Sequence, residues 1–159
     1  MPNETVLREH VLALLEKEQA HAGFEKAVKN MPFELQGKRP QGAAHSPWEI
    51  LEHMRIAQWD ILEFSRDEKH VSPEFPQGYW PDSAAPASDA AWKKSVAAFR
   101  RDLEAMKQLV AEADERQLYA RIAHGNGQTL LREALLVADH NAYHLGQLVF
   151  LRKMLEGRQ

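Results

Sequence analysis

The chain has 159 residues, 44% hydrophobic and 27% charged, and 20 basic against 23 acidic residues leave a net charge of −3. This size and balance predict one globular domain over residues 1–159 that folds without a disulfide or a structural metal, and they exclude a disordered chain or a basic surface that wraps nucleic acid. The lack of cysteine excludes a disulfide framework, a thiolate zinc site, an iron–sulfur cluster and a cysteine nucleophile, and leaves eight histidines to be explained.

The opening MPNETVLREH lacks the basic-then-apolar order of a signal peptide. No apolar run is longer than the five residues of Ala134–Ala138, far short of the ~20 that span a membrane. A cytoplasmic protein without membrane contact is expected.

Four stretches carry helical periodicity and none carries strand alternation. The first, residues 4–29, places Val6, Leu7, Val11, Leu14, Phe24 and Val28 on one broad face and stops at Asn30-Met31-Pro32. The second, residues 47–67, has the clearest start in the chain: Ser46 as N-cap, Pro47 at the first helical position and Glu49 completing a capping box. Residues 68–87 follow as a long loop with Pro73, Pro76, Pro81 and Pro86 and the aromatics Phe75, Tyr79 and Trp80. Those rings either anchor the loop on the helices or wall a pocket. The third helix is expected at residues 89–113 behind Ser88. The fourth is expected at residues 130–155, between the Thr129 cap and Gly157. An all-α domain of four long helices is most economically an up-and-down four-helix bundle, a fold that builds its sites from side chains facing the core.

Few polar residues point inward. His140 and His144 lie one turn apart, about 40° around the fourth helix. They share their face with Leu136, Val137, Leu148 and Leu151. Two buried imidazoles side by side need partners for their nitrogens, either a shared metal or a structural hydrogen-bonded arrangement. His53 shares the inner face of the second helix with Ile50, Ala57, Ile61 and Phe64 and is a third candidate ligand. Three imidazoles with an open position make a catalytic type of metal site. Asp60, two turns after His53, is too far along the axis to share its ion. It is expected either to orient His140 or His144 or to make an ordinary inter-helix contact. His21 reads as a core or rim histidine, with a role as an extra ligand or an acid–base group as the alternative. His10 faces inward a few turns from that level. His45, His70 and His124 receive no role beyond solvent contact. The other flank of the fourth helix (Leu131, Leu135, Ala138, Ala142, Leu145, Gly146, Val149) is also apolar or small. It needs a cover, either the long loop or a second copy of the chain.

Glu52-His53 in the second helix and DHNAYHLGQ (Asp139 to Gln147) in the fourth resemble the DinB-like (DinB/YfiT) metalloenzyme family. The flanking HSPWEILEHMRIAQWDILEF and GQTLLREALLVADHNAYHLGQL extend the resemblance, which covers nearly the whole chain, the Pro-rich insertion included. The resemblance implies an up-and-down four-helix bundle, often homodimeric, with a divalent metal held by three histidines at the positions of His53, His140 and His144. It implies activity on a small molecule, by transfer that depends on a low-molecular-weight thiol or by hydrolysis, and no DNA contact. Zinc, nickel and iron all suit three imidazoles. The catalytic residues stay unassigned, with His21 and Asp60 as candidates. The other function class is a non-catalytic, metal-stabilised bundle that binds a ligand or protein partner in a stress response.

Overall fold

A computed structural model describes residues 2–16, 18 and 20–157, and among them the fold is all-helical, with one isolated bridge between Arg121 and Thr129. The helices are α1 (Pro2–Glu16), α2 (Phe24–Val28), α3 (Phe33–Gln36), α4 (Pro47–Arg66), α5 (Asp89–Glu112), α6 (Glu115–Tyr119) and α7 (Leu130–Glu156). No helix among the described residues is long and apolar enough to cross a membrane.

The long helices begin where local chemistry starts them. Ser46 Oγ accepts from the Glu49 N–H, and the Glu49 carboxylate accepts from the Ser46 N–H at 2.8 Å, which closes the expected capping box. Ser88 and Thr129 cap α5 and α7 in the same way, through the N–H groups of Ala91 and Arg132.

The expected first helix is broken. α1 ends at Glu16, and the helix resumes only at Phe24, behind an extended Gly23 cap. A Cβ on Gly23 would stand 2.6 Å from Cγ of Glu18, whose carboxylate reaches forward to Lys26 at 3.1 Å, so the chain folds tightly over itself here. The break serves two cores. Val11 and Leu15 of α1 pack with Leu62, Met106 and Val137, whereas Ala27 and Val28 of α2 join Met31, Leu35, Trp48 and Leu51 in a second cluster. Asn30, two residues past the end of α2, has a φ of 53°, a left-handed conformation that asparagine tolerates better than most residues.

α4 packs along both α5 and α7, and α1 lies against α5 and α7. The loop after α4 carries one 3-10 turn, Gln77–Tyr79, which packs back on α4. Its far end passes so close to Gly37 that any Cβ there would meet the Ala85 side chain at 2.2 Å. The other flank of α7 is bordered by something else. Leu135, Ala138, Ala142 and Leu145 line a cavity of about 650 Å³ together with Leu14 and Phe24 from the first two helices.

Buried polar side chains tie α4 to its neighbours. Gln58, 1% exposed, donates to the Phe99 carbonyl at 2.8 Å and accepts from Asn141 Nδ2 at 2.8 Å. Glu52 accepts from Arg55 at 2.8 and 2.9 Å and from the Ser95 hydroxyl. Burial alone would raise the Glu52 carboxyl, but the bonds from Arg55 and Ser95 and the Arg55 charge outweigh it and hold the group below its ordinary 4.5. A carboxyl lowered on folding stabilises the fold fully above its unfolded pKa and loses that contribution as pH falls through its folded pKa. Glu52→Gln is therefore expected to be less stable than wild type at neutral pH, and the gap in unfolding free energy closes as the buffer is taken below about 4.5. Urea melts of both proteins across that range check it, and a gap that persists undiminished into acid contradicts it.

Candidate metal centre

His53 leaves α4 about two turns from its start, and His140 and His144 leave α7 one turn apart. The expected trio meets. Nε2 of His53 lies 3.1 Å from Nε2 of His144 and 3.1 Å from Nε2 of His140, and the three ligand atoms all fall within 4.8 Å of one another. Nitrogens sharing one ion at about 2.0–2.1 Å, in tetrahedral or octahedral geometry, stand roughly 2.8–3.4 Å apart.

The far ring nitrogens fix the chemistry of the near ones. His53 Nδ1 faces the Tyr79 carbonyl at 2.9 Å. A carbonyl only accepts, so Nδ1 carries the proton and Nε2 presents a lone pair. His144 Nδ1 lies 2.8 Å from Gln147 Oε1, its neighbour three residues along the same helix. His140 Nδ1 is buried without a hydrogen-bond partner among the described residues. The His53 lone pair therefore has two other ring nitrogens at 3.1 Å. One proton serves only one of those contacts, whereas one cation serves both, and on that geometry and donor set the three residues fit a divalent ion.

Burial keeps the imidazoles neutral. It pushes His140 down to about 4, helped by the charges of His144 and His53. It also lowers His53 and His144, against the opposing bonds from Tyr79 and Gln147 and with the charge of His45 adding to the effect. Neutral imidazole is the form that binds metal.

The loop is part of this centre. Trp80 stacks on His53 at 4.1 Å and on His45 at 4.1 Å, both close to parallel, and Tyr143 meets His144 edge-on at 4.8 Å. Of the loop aromatics, Tyr79 and Trp80 are half-buried on the site, while Phe75 is 81% exposed.

Several expectations need correction. Asp60 does not orient His140 or His144: its oxygens take His70 Nε2 at 2.7 Å and the Tyr79 hydroxyl at 2.6 Å. The loop supplies donors closer to it than α7 does. His21 is not brought to the three imidazoles. It is exposed in the broken stretch after α1, 3.0 Å from the Ala22 carbonyl, and lines the cavity on the other flank of α7. His10 is exposed, since α1 turns it away from the core. His70 is more than a solvent residue, with its ring 8% exposed against Asp60. His45 is half-buried on Trp80, and its Nδ1 has no hydrogen-bond partner among the described residues. Gln147 carried a readable signal, its i,i+3 spacing from His144. Tyr79 acts through its main chain, which no side-chain pattern reveals.

The DinB superfamily model matches residues 16–148, and the chain belongs to that superfamily. No curated protein and no solved structure matches it.

Proposed function

We propose that the chain is a metal-dependent enzyme in which His53, His140 and His144 hold one divalent ion in an up-and-down four-helix bundle. It would act on a small molecule by thiol-dependent transfer or by hydrolysis. The observation that carries this reading is the convergence of three neutral Nε2 atoms on one point beneath an aromatic loop. A divalent ion held there by three neutral ligands would keep its full charge and supply Lewis-acid activation of a water or a thiol. The chain's own groups bind and orient: Tyr79 and Gln147 aim two of the ligands, and Trp80 shields His53 from solvent on one side. With no cysteine in the sequence, any thiol must come from outside. Zinc, nickel and iron all suit the ligand set.

The test is elemental analysis of purified protein followed by two assays of the metal-loaded chain, one joining a low-molecular-weight thiol to an activated aryl halide and one hydrolysing esters. Stoichiometric metal with turnover in either assay, lost on chelation while the protein stays folded, supports the enzyme. Stoichiometric metal with no turnover, and unfolding on chelation, makes the ion a structural staple instead.

We also propose a cytoplasmic homodimer. The outer stripe of α7 supports it, with Leu135, Tyr143 and Phe150 at 42%, 65% and 63% exposure. A monomer in sedimentation equilibrium at micromolar concentration removes that assembly.

A further inference from the structure

Asp60 is 8% exposed and lies two turns beyond His53 on α4, outside the group of three ligand atoms. A buried carboxylate must be met by donors. Both of its donors come from one loop. The Tyr79 hydroxyl reaches Oδ2 at 2.6 Å, and His70 Nε2 reaches Oδ1 at 2.7 Å. Tyr79 then turns its main-chain carbonyl onto Nδ1 of His53 at 2.9 Å. One loop residue thus joins two residues of the same helix: its side chain is held by Asp60 and its carbonyl holds the ligand.

We propose that Asp60 is a positioning residue of the metal centre, acting through Tyr79 to fix the tautomer and ring orientation of His53. The physical need is plain. An imidazole offers Nε2 to a cation only while Nδ1 keeps the proton, and a fixed acceptor at Nδ1 enforces that. A carbonyl on a loop is a fixed acceptor only if the loop is tied down. Much of this loop is open to solvent, with Val71 at 83% and Phe75 at 81% exposure, so its grip on α4 rests on contacts at its two ends: the Trp80 stack on His53, the ring contact of His70 with Trp59, and the bonds to Asp60. Asp60 makes two of them, on either side of the exposed stretch, and aligns the residue whose carbonyl does the orienting.

This inference rests on the metal reading, and the experiment separates the two. Wild type, Asp60→Ala, Asp60→Asn and Tyr79→Phe are titrated with Co(II) against a competing chelator, and long-range proton–nitrogen correlation spectra of the metal-free proteins report the His53 tautomer. Wild type is expected to show His53 protonated at Nδ1. Asp60→Ala and Tyr79→Phe are expected to bind Co(II) about 10–100-fold more weakly, the usual consequence of losing a partner behind a ligand, with a shifted Co(II) absorption band and mixed His53 tautomers. Asp60→Asn still accepts from the Tyr79 hydroxyl and is expected to recover most of the affinity. If Asp60→Ala and Tyr79→Phe lower only the melting temperature and keep wild-type Co(II) affinity and His53 nitrogen shifts, Asp60 merely anchors the loop and the proposal is overturned. Failure of wild type to bind Co(II) instead overturns the metal reading, while the tautomer spectra still decide whether Asp60 positions His53.

Discussion

His144→Ala is expected to cost more divalent-metal affinity than the roughly 10–100-fold that follows loss of a partner behind a ligand, because it removes one ligand of three. No other histidine, aspartate or glutamate among the described residues has a ligand atom in the cluster of three. The two ligands that remain sit on different helices, where each must be held separately. His140→Ala is expected to do the same, and its second consequence is informative. His140 is a desolvated imidazole, lowered to about 4 by burial first and by His144 and His53 after it, with an unpartnered Nδ1. Removing it also takes away the 3.1 Å contact with His53 and opens space among the rings, so the metal-free variant should melt somewhat below wild type.

The readout is the rise in melting temperature when metal is added. An ion at a thousand times its dissociation constant stabilises the folded state by about 4 kcal/mol. For a chain of this size that is a rise of roughly 8–16 °C. Wild type should show a rise of this order with zinc, nickel or iron, and both alanine variants should show almost none at the same concentration. Equal rises in wild type and variants would place the ion elsewhere and remove the site.

What could be read from the sequence, and what could not, divides along the range of the interactions involved. The starts of α4, α5 and α7 are set by hydroxyls that bond an N–H three residues ahead, at Ser46, Ser88 and Thr129. Such signals lie wholly within a few letters. The convergence of His53 with His140 and His144 was legible for a similar reason, because helical periodicity fixes which face a residue occupies once the helix is placed. The same logic should have found α6, whose Asp114 and Gln117 form a reciprocal capping box. The break after Glu16 was hidden, since it answers a demand of packing: α1 and α2 belong to different core clusters. The partners of Asp60 were hidden more deeply. They depend on the path of a loop of about twenty residues, and periodicity says nothing about where a loop returns. The surroundings of His45 and His70 were hidden for the same reason, because each sits in or beside a segment whose route is set by tertiary contacts.

Phe99→Ala is expected to damage the fold severely, without a matching loss at the site. Phe99 is 1% exposed in the middle of α5, stacks on Phe24 with ring centroids 4.1 Å apart, and belongs to the cluster that includes Met54 and Leu148. Truncating a buried phenylalanine costs about 3–5 kcal/mol, part from lost transfer energy and part from the cavity left behind. Phe99 also borders the 650 Å³ cavity beside α7, so the new space opens into an existing one. A stability loss of that size is roughly 6–20 °C in melting temperature. The link from α5 toward the metal ligands survives the substitution, because Gln58 bonds the main-chain carbonyl of residue 99 and not its ring, and Asn141 bonds Gln58 in turn. Metal affinity of the folded variant should therefore stay within about tenfold of wild type, below the loss typical of a ligand's own hydrogen-bond partner. Chemical melts and metal titrations on the same preparation check both halves. A loss of stability under about 1 kcal/mol would mean that the α4–α5–α7 core closes around the missing ring, contrary to the close packing that gives core truncations their cost. A metal affinity that falls along with the stability would mean that the imidazoles are aimed by the packing of α5 and not, as the geometry indicates, by Tyr79 and Gln147.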